Sequence, residues 1–230
     1  MSSDDDKRLA AEAAVAEVRP GMVVGLGTGS TAAHMIRAIG RRVADGLSIE
    51  TVATSRASAD LAQSLGITVR DFADVARVDV TIDGADEIDD RLLAIKGAGG
   101  AMLREKCVAA ATERMVVIAD GTKRVKRVGE ARVPVEVLPF ARAFVTRTLE
   151  DRSYPKLRMT GSAEGAEAYR TDQGNLVVDC AFRDLSDPHE AARWLQAIPG
   201  VLAHGLFLSE VDAAYIAADG EVTKLERPQS

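Results

Sequence analysis

Four side chains able to move protons or hold a developing negative charge lie between positions 83 and 105. Asp83 and Asp86 follow the apolar run Val78–Ile82, Lys96 follows Leu92–Ile95, and Glu105 stands on the stretch after Gly97, Gly99 and Gly100. Carboxylates accept and return protons, and a fixed ammonium stabilises an oxyanion. Glu87 extends the acidic cluster. A short apolar run that stops at acidic residues and glycine reads as a buried strand reaching the edge of its sheet. In open α/β sheets, ligands bind outside the carboxyl ends of the strands. Two neighbouring strand ends would then supply Asp83, Asp86 and Lys96, and the next helix Glu105. Either cluster alone also reads as a solvated turn; their combination with a phosphate-type loop points to a site.

That loop is Gly25-Leu26-Gly27-Thr28-Gly29-Ser30-Thr31, between a strand and a helix. Its glycines allow a tight turn close to a ligand, and the helix start offers free N–H groups to an anion. Ser30 and Thr31 add hydroxyl donors. A dinucleotide fingerprint would need a third glycine where Ser30 stands, and a carboxylate at the end of the second strand. That strand ends in Thr54-Ser55-Arg56 instead. No Gly-Lys-Ser/Thr closes the loop as in a P-loop. A small phosphorylated substrate fits better than a dinucleotide.

The elements that must position these residues alternate. The spacing predicts helices over about Asp4–Val18 (capped by Ser3, inner face Leu9, Ala13 and Ala16), Ala32–Val43, Ala57–Leu65 and Ala101–Thr112. Between them it predicts strands at Met22–Leu26, Ser48–Ala53, Ile67–Val69, Val78–Ile82, Leu92–Ile95 and Met115–Ala119. Such alternation implies a Rossmann-like parallel sheet with helices on both faces. After about Glu130 the pattern becomes β-α-β-β-α. Strands are expected at Val133–Leu138, Leu157–Thr160, Glu167–Thr171 and Asn175–Cys180, and helices at Phe140–Glu150 and Pro188–Ala197. Asp172-Gln173-Gly174 reads as a hairpin turn between the last two strands. We therefore expect an α/β fold with a catalytic domain at 1–130 and 202–230 and a smaller inserted α+β domain at 131–201. Val201–Leu208, Ala213–Ala217 and Glu221–Leu225 would return to the main sheet.

Bulk composition narrows the classes. The 230 residues are 47% hydrophobic, ample for a core, and the formal net charge is −6. That argues against general nucleic-acid binding, which needs a basic face. No apolar run approaches the roughly 20 residues that cross a bilayer. The acidic N-terminus MSSDDDKRLA is not expected to act as a signal peptide. Cys107 and Cys180 stand far apart and are expected to be buried, reduced thiols of a cytoplasmic protein. His34, His189 and His204 have no ligand spacing, so no metal is expected.

GLGTGST (25–31), TIDGADEID (81–89), KGAGGAMLREK (96–106), ADGTKRV (119–125), TDQGNLVVD (171–179) and IPGVLAHGLF (198–207) follow one another in order across nearly the whole chain. In this combination the chain resembles the type A ribose-5-phosphate isomerases. The resemblance implies a two-domain α/β fold, no metal or other cofactor, and a homodimer or homotetramer. It also implies interconversion of ribose 5-phosphate and ribulose 5-phosphate in the pentose phosphate pathway. By matching positions, it implies Glu105 as the proton-transferring base. Asp83 and Asp86 become substrate-site carboxylates, with Asp83 also in acid–base work, and Lys96 the stabiliser of negative charge. It further implies substrate contacts from Thr28, Gly29, Ser30 and Thr31, from Gly84 and Ala85, and from Gly97, Ala98 and Gly99. Lys123 becomes the phosphate cation, with Lys7 a second. Ala98 stands where relatives often carry glycine, which leaves open whether that position needs positive φ.

The chemistry suits the residues. An aldose–ketose isomerase opens the sugar ring and moves one proton between C2 and C1 through an enediolate. One carboxylate can do both transfers, and a partly dry pocket would raise its basicity. A non-catalytic sugar-phosphate sensor would keep the glycine loop without needing Asp83, Lys96 and Glu105 together. A nicotinamide-dependent oxidoreductase is disfavoured by the end of the second strand, and an acyl-CoA transferase would use a glutamate as nucleophile.

Overall fold

The computed structural model describes residues 2–161 and 165–228. Its main sheet has six strands in the spatial order Glu221–Glu226, Val211–Ala218, Thr112–Asp120, Val78–Gly84, Val23–Leu26, Glu50–Ala53. Neighbours are parallel except the first pair, an antiparallel hairpin. From Val23–Leu26 the chain goes first to Glu50–Ala53 on one side, then returns to place Val78–Gly84 on the other. The ends of Val23–Leu26 and Val78–Gly84 therefore form a switch point, where an open sheet leaves a crevice.

Helices Ser3–Ala14, Ser30–Ala44 and Arg56–Ser64 cover one face. Ala10, Ala11, Ala14, Met35, Ile36, Ile39 and Ala62 share one core with Val24, Leu26, Val80, Ile82, Val116 and Ile118. The first helix starts one residue earlier than expected. Ser2 caps it, accepting the Asp5 N–H at 3.2 Å while the Asp5 carboxylate reaches back. Its inner face is Ala10, Ala11 and Ala14; Ala13 is half-buried and Ala16 exposed. An alanine-rich helix offers too little contrast between its sides for periodicity to choose.

On the other face Met115 and Val117 pack against Ile88, Leu92, Ala94 and Phe207. Apart from Leu92, which lies in the connection between two of its strands, these come from a separate three-stranded antiparallel sheet of Leu206–Phe207, Ala94–Ile95 and Glu87–Ile88. Lys96 is thus not delivered by a neighbouring strand of the parallel sheet. It arrives from a small layer above it, a pairing that a two-residue strand cannot announce. Helix Met102–Ala110 lies on this same face, with Val108 packed beside Val52 and Val78.

A four-stranded antiparallel sheet orders Val201–His204, Val133–Val137, Leu176–Phe182 and Ser153–Leu157. Helices Arg142–Leu149 and Pro188–Gln196 bury Val145, Leu149, Ala191 and Leu195 against it. Three sequence expectations change. Ile67–Val69 makes only a bridge, Val69 to Thr51. Glu167–Ala168 pairs with Met159–Thr160 rather than across the turn at 172–174. The Val201–Leu208 run splits: Val201–His204 joins the four-stranded sheet and Leu206–Phe207 the three-stranded one. Gly205 makes the crossing, donating to the Pro134 carbonyl at 2.8 Å and accepting the Lys96 N–H at 2.9 Å. A Cβ there would meet the Lys96 carbonyl and Pro134, so only glycine lets the two sheets approach.

The loop at Gly27 is equally tight. A Cβ on Gly27 would fall on the Asp83 carboxyl and backbone. Gly27→Ala is expected to destabilise the fold by about 1–3 kcal/mol, as overpacking usually does. Urea denaturation measures it, and an unchanged midpoint would contradict this packing.

Candidate active site

Three elements deliver three ionisable groups to one buried point. Asp83 ends the Val78–Gly84 strand, Lys96 follows Ala94–Ile95, and Glu105 sits in the first turn of Met102–Ala110. Their relative exposures are 0%, 2% and 4%. The Lys96 ammonium stands 3.0 Å from Asp83 Oδ2 and 3.3 Å from Glu105 Oε2, and donates to the Gly84 carbonyl. The Phe207 ring centroid lies 5.4 Å from it. Neither Asp83 Oδ2 nor Glu105 Oε2 has a well-aligned hydrogen-bond donor.

The electrostatics follow. Burial raises the Glu105 carboxyl most and the Asp83 charge adds to it; Lys96 opposes, and the net position is pushed up to about 8. Burial acts against the Lys96 ammonium, but the charges of Asp83 and Glu105 outweigh it and hold the ammonium above its ordinary value. A carboxyl that is neutral near pH 7 and whose ionised form lacks good donors is a strong base once it ionises.

In front of this point lies a cavity of about 220 Å³. Its wall contains Lys7, Thr28, Gly29, Ser30, Thr31, Gly84, Ala85, Asp86, Lys96, Gly97, Ala98, Gly99, Glu105 and Lys123. The structure thus gathers in one place the residues singled out from the sequence, with one difference. Asp83 lies behind the wall: Oδ1 accepts the N–H groups of Thr28 (2.9 Å) and Gly84 (2.7 Å), and Oδ2 faces Lys96. Asp86 reaches the wall and accepts the Ala98 N–H at 2.9 Å. Glu87 turns away to bind the N–H groups of Gly129 (2.7 Å) and Ala131. The acidic cluster is therefore dispersed, and among the described residues no group of three or more His, Cys, Asp or Glu is placed to hold a metal ion.

At the other end of the cavity helix Ser30–Ala44 begins. Gly29 is its N-cap with φ 103, and no side chain caps it. Its first N–H groups therefore remain available to an anion. Lys7 and Lys123 stand beside it, Lys123 on a turn capped by Asp120, whose Oδ1 accepts the Thr122 N–H at 3.0 Å. Ala98 is not among the residues with positive φ, whereas Gly97 (108°) and Gly100 (76°) are. Alanine therefore fits where glycine is frequent.

Some supporting residues carried no sequence signal. Thr54 Oγ1 lies 2.8 Å from Thr28 Oγ1, and Ser58 Oγ donates to the Gly27 carbonyl at 2.7 Å. Arg158, just after strand Ser153–Leu157, and Tyr169, just after strand Glu167–Ala168, bind carbonyls of the 97–99 loop. These contacts are long-range in sequence and have no local pattern. A larger groove of about 740 Å³ runs along the outer side of Met102–Ala110, past Arg70, Arg104 and Cys107. Its Arg70 and Arg104 are already paired with Glu50 and Asp172, so chemistry rather than volume selects the smaller cavity.

Fold and site define an α/β protein that can seat a phosphate at a helix start and move a proton beside a buried ammonium. The ribose 5-phosphate isomerase A (phosphoriboisomerase A) family pattern matches residues 50–221. A curated relative from Sphingopyxis alaskensis, "Ribose-5-phosphate isomerase A", is 49% identical over 212 residues, 92% of each chain. A solved D-ribose-5-phosphate isomerase in complex with phospho-erythronic acid superposes with TM-score 0.94 at 33% identity, covering 99% of this chain and 100% of that one. Ribose 5 phosphate isomerase A from Neisseria gonorrhoeae gives 0.91 at 36% identity, over 99% of both chains. The chain belongs to the ribose 5-phosphate isomerase A family.

The raised Glu105 carboxyl links folding to pH. A folded-state value of about 8, above the ordinary carboxyl range, means the proton-linked stability is complete below that range. It is lost as the pH rises through about 8. Denaturation across pH 5–9 should show this fall in the wild type relative to Glu105→Gln, which cannot titrate. A pH-independent difference between the two would refute the shift.

Proposed function

We propose that this chain is an aldose–ketose isomerase that interconverts D-ribose 5-phosphate and D-ribulose 5-phosphate through an enediolate, in the non-oxidative branch of the pentose phosphate pathway. The observation that carries the reading is the buried contact of Lys96 with Glu105, 3.3 Å apart, at the foot of a cavity that ends in an uncapped helix start.

The phosphate sits on the first N–H groups of Ser30–Ala44, with Thr28, Gly29, Ser30 and Thr31 around it and Lys123 and Lys7 neutralising its charge. This anchor is remote from C1 and C2 and orients them. Asp86, at the wall, exchanges a hydroxyl proton during ring opening. The Glu105 carboxylate then takes the C2 proton, and the electron pair moves into a C1–C2 double bond as the carbonyl oxygen becomes an oxyanion. Lys96 holds that oxyanion, aided by the backbone of Gly97, Ala98 and Gly99 along the wall. A preorganised donor of this kind contributes about 3–4 kcal/mol. Glu105 returns its proton to C1 while the C2 hydroxyl passes its own proton to the C1 oxyanion, which leaves a C2 carbonyl and a C1 hydroxyl and completes the ketose. Asp83 does not meet the sugar. It holds Lys96 and the Thr28 N–H together, so the ammonium and the phosphate loop keep one spacing. A phosphorylated four-carbon acid such as phospho-erythronic acid carries a planar anionic group like the enediolate, and suits this cavity for the same reason.

A phosphosugar sensor would use the loop and lysines but gains nothing from a buried Glu105, whose burial costs stability at neutral and alkaline pH. The chain is further proposed to act as a cytoplasmic homo-oligomer. Supporting this, Phe140 (96% exposed), Phe144 and Leu138 are exposed together at the start of helix Arg142–Leu149.

With ribose 5-phosphate, kcat/KM is expected to rise with pH and level off near 8, as free Glu105 ionises. Glu105→Gln should lower kcat by about 10²–10⁴-fold with the fold intact, and near-normal turnover would sink the base assignment. Lys123→Ala should mainly raise KM; an unchanged KM would remove its phosphate role. EDTA-treated enzyme should retain its activity.

A further inference from the structure

The loop after Lys96 is gripped from the side away from the proposed chemistry. Arg158 lies between strands Ser153–Leu157 and Met159–Thr160. Asp179, on the adjacent strand Leu176–Phe182, holds its guanidinium through both oxygens: Nε donates to Oδ2 at 2.9 Å and Nη2 to Oδ1. The remaining nitrogen, Nη1, donates to the carbonyls of Gly97 (3.1 Å) and Ala98 (2.9 Å). The Tyr169 hydroxyl donates to the next carbonyl, Gly99, at 3.1 Å, and its ring centroid lies 5.6 Å from the Arg158 Cζ. Three successive carbonyls are thus bound by two side chains from another layer. On the opposite edge the Ala98 N–H donates to Asp86. Peptide groups are planar, so fixing the carbonyls fixes the direction of the N–H groups of this loop. A guanidinium is well shaped for this grip, because its rigid fork engages a carboxylate on one edge and keeps a further donor for the carbonyls.

We infer that Arg158 is a positioning residue for the isomerisation, held by Asp179, which sets the peptide planes of residues 97–99. Through them it sets Lys96 and Asp86 before negative charge develops. The inference rests on the isomerase reading for its kinetics. It goes beyond that reading by giving Arg158, held by Asp179 of the four-stranded sheet, a part in catalysis that neither performs by touching substrate.

The rival is a plain structural tie between layers. Arg158→Ala, Arg158→Lys and Asp179→Asn separate the two. A slight misplacement of the loop should lower kcat of Arg158→Ala by about 100-fold with KM little changed. Affinity for phospho-erythronate should fall by a similar factor, and affinity for inorganic phosphate should hold. Added guanidinium ion should restore part of the lost turnover. Arg158→Lys keeps the charge but not the fork and should remain impaired. Asp179→Asn keeps the guanidinium and should lose less, which gives a reading even if Arg158→Ala fails to fold. Wild-type kcat in the folded variants, or equal loss of phosphate and phospho-erythronate affinity, would overturn the inference. Absent turnover in the wild type would fault the isomerase reading instead, while the contrast between the two ligands would still test the positioning.

Discussion

One ammonium buried against two carboxylates sets the terms for the rest of the molecule. With all three groups ionised the point would carry a net negative charge, at exposures of 0%, 2% and 4%. Each buried ion costs several kcal/mol of lost hydration, which attraction offsets only when geometry and further hydrogen bonds are good. Lys96 meets this condition in part, donating to the Gly84 carbonyl and facing the two carboxylates at 3.0 and 3.3 Å. Asp83 meets it through two backbone N–H groups and Lys96. Glu105 Oε2, like Asp83 Oδ2, has no well-aligned donor, and burial weighs heavily on the Glu105 carboxyl, so a proton on Glu105 is the least costly relief. Burial beside Asp83 thereby favours the neutral form of Glu105, which becomes a base on ionising.

This arrangement explains the layering. No single sheet could present the three groups to one point. The parallel sheet supplies Asp83 and the glycine loop at its switch point, the short antiparallel sheet supplies Lys96, and a helix on the same face supplies Glu105. Gly205 stitches the Lys96 backbone to the strand end at Pro134. The proposed phosphate end is separate in position and in chemistry. It uses a helix start and half-exposed lysines, whose charges stay hydrated until an anion arrives, so the dry end need not compensate them.

Much of this was legible in the sequence. The strand–loop–helix from Met22 to Val43 could be read because glycine spacing and helical periodicity agree there. Thr28, Gly29, Ser30, Thr31, Asp86, Lys96, Gly97, Gly99 and Glu105 could be named from their places at strand and helix ends, whereas Gly84, Ala85, Ala98, Lys7 and Lys123 were named only through the family resemblance. What escaped depended on pairings between distant segments. Leu92–Ile95 looked like a member of the parallel sheet, since a short apolar run does not say which partner it takes. Val201–Leu208 looked like one strand because a single glycine within it gave no hint of a crossing between sheets. Asp83 and Asp86 were both expected at the substrate, with acid–base work added for Asp83, and only packing distinguishes the one beneath the wall from the one upon it. Arg158 fell within the expected strand Leu157–Thr160, and nothing in its local sequence marked it.

The most direct test is to observe the Glu105 carboxyl itself. Carbon-13 NMR of protein labelled at the glutamate carboxyl, with Glu105→Gln to assign the signal, would follow its ionisation in the free enzyme. The expected result is a carboxyl that is protonated at pH 7 and ionises around 8. A Glu105 signal already ionised at pH 6 and unchanged to pH 9 would contradict it, and with it the claim that burial beside Asp83 makes this residue the base.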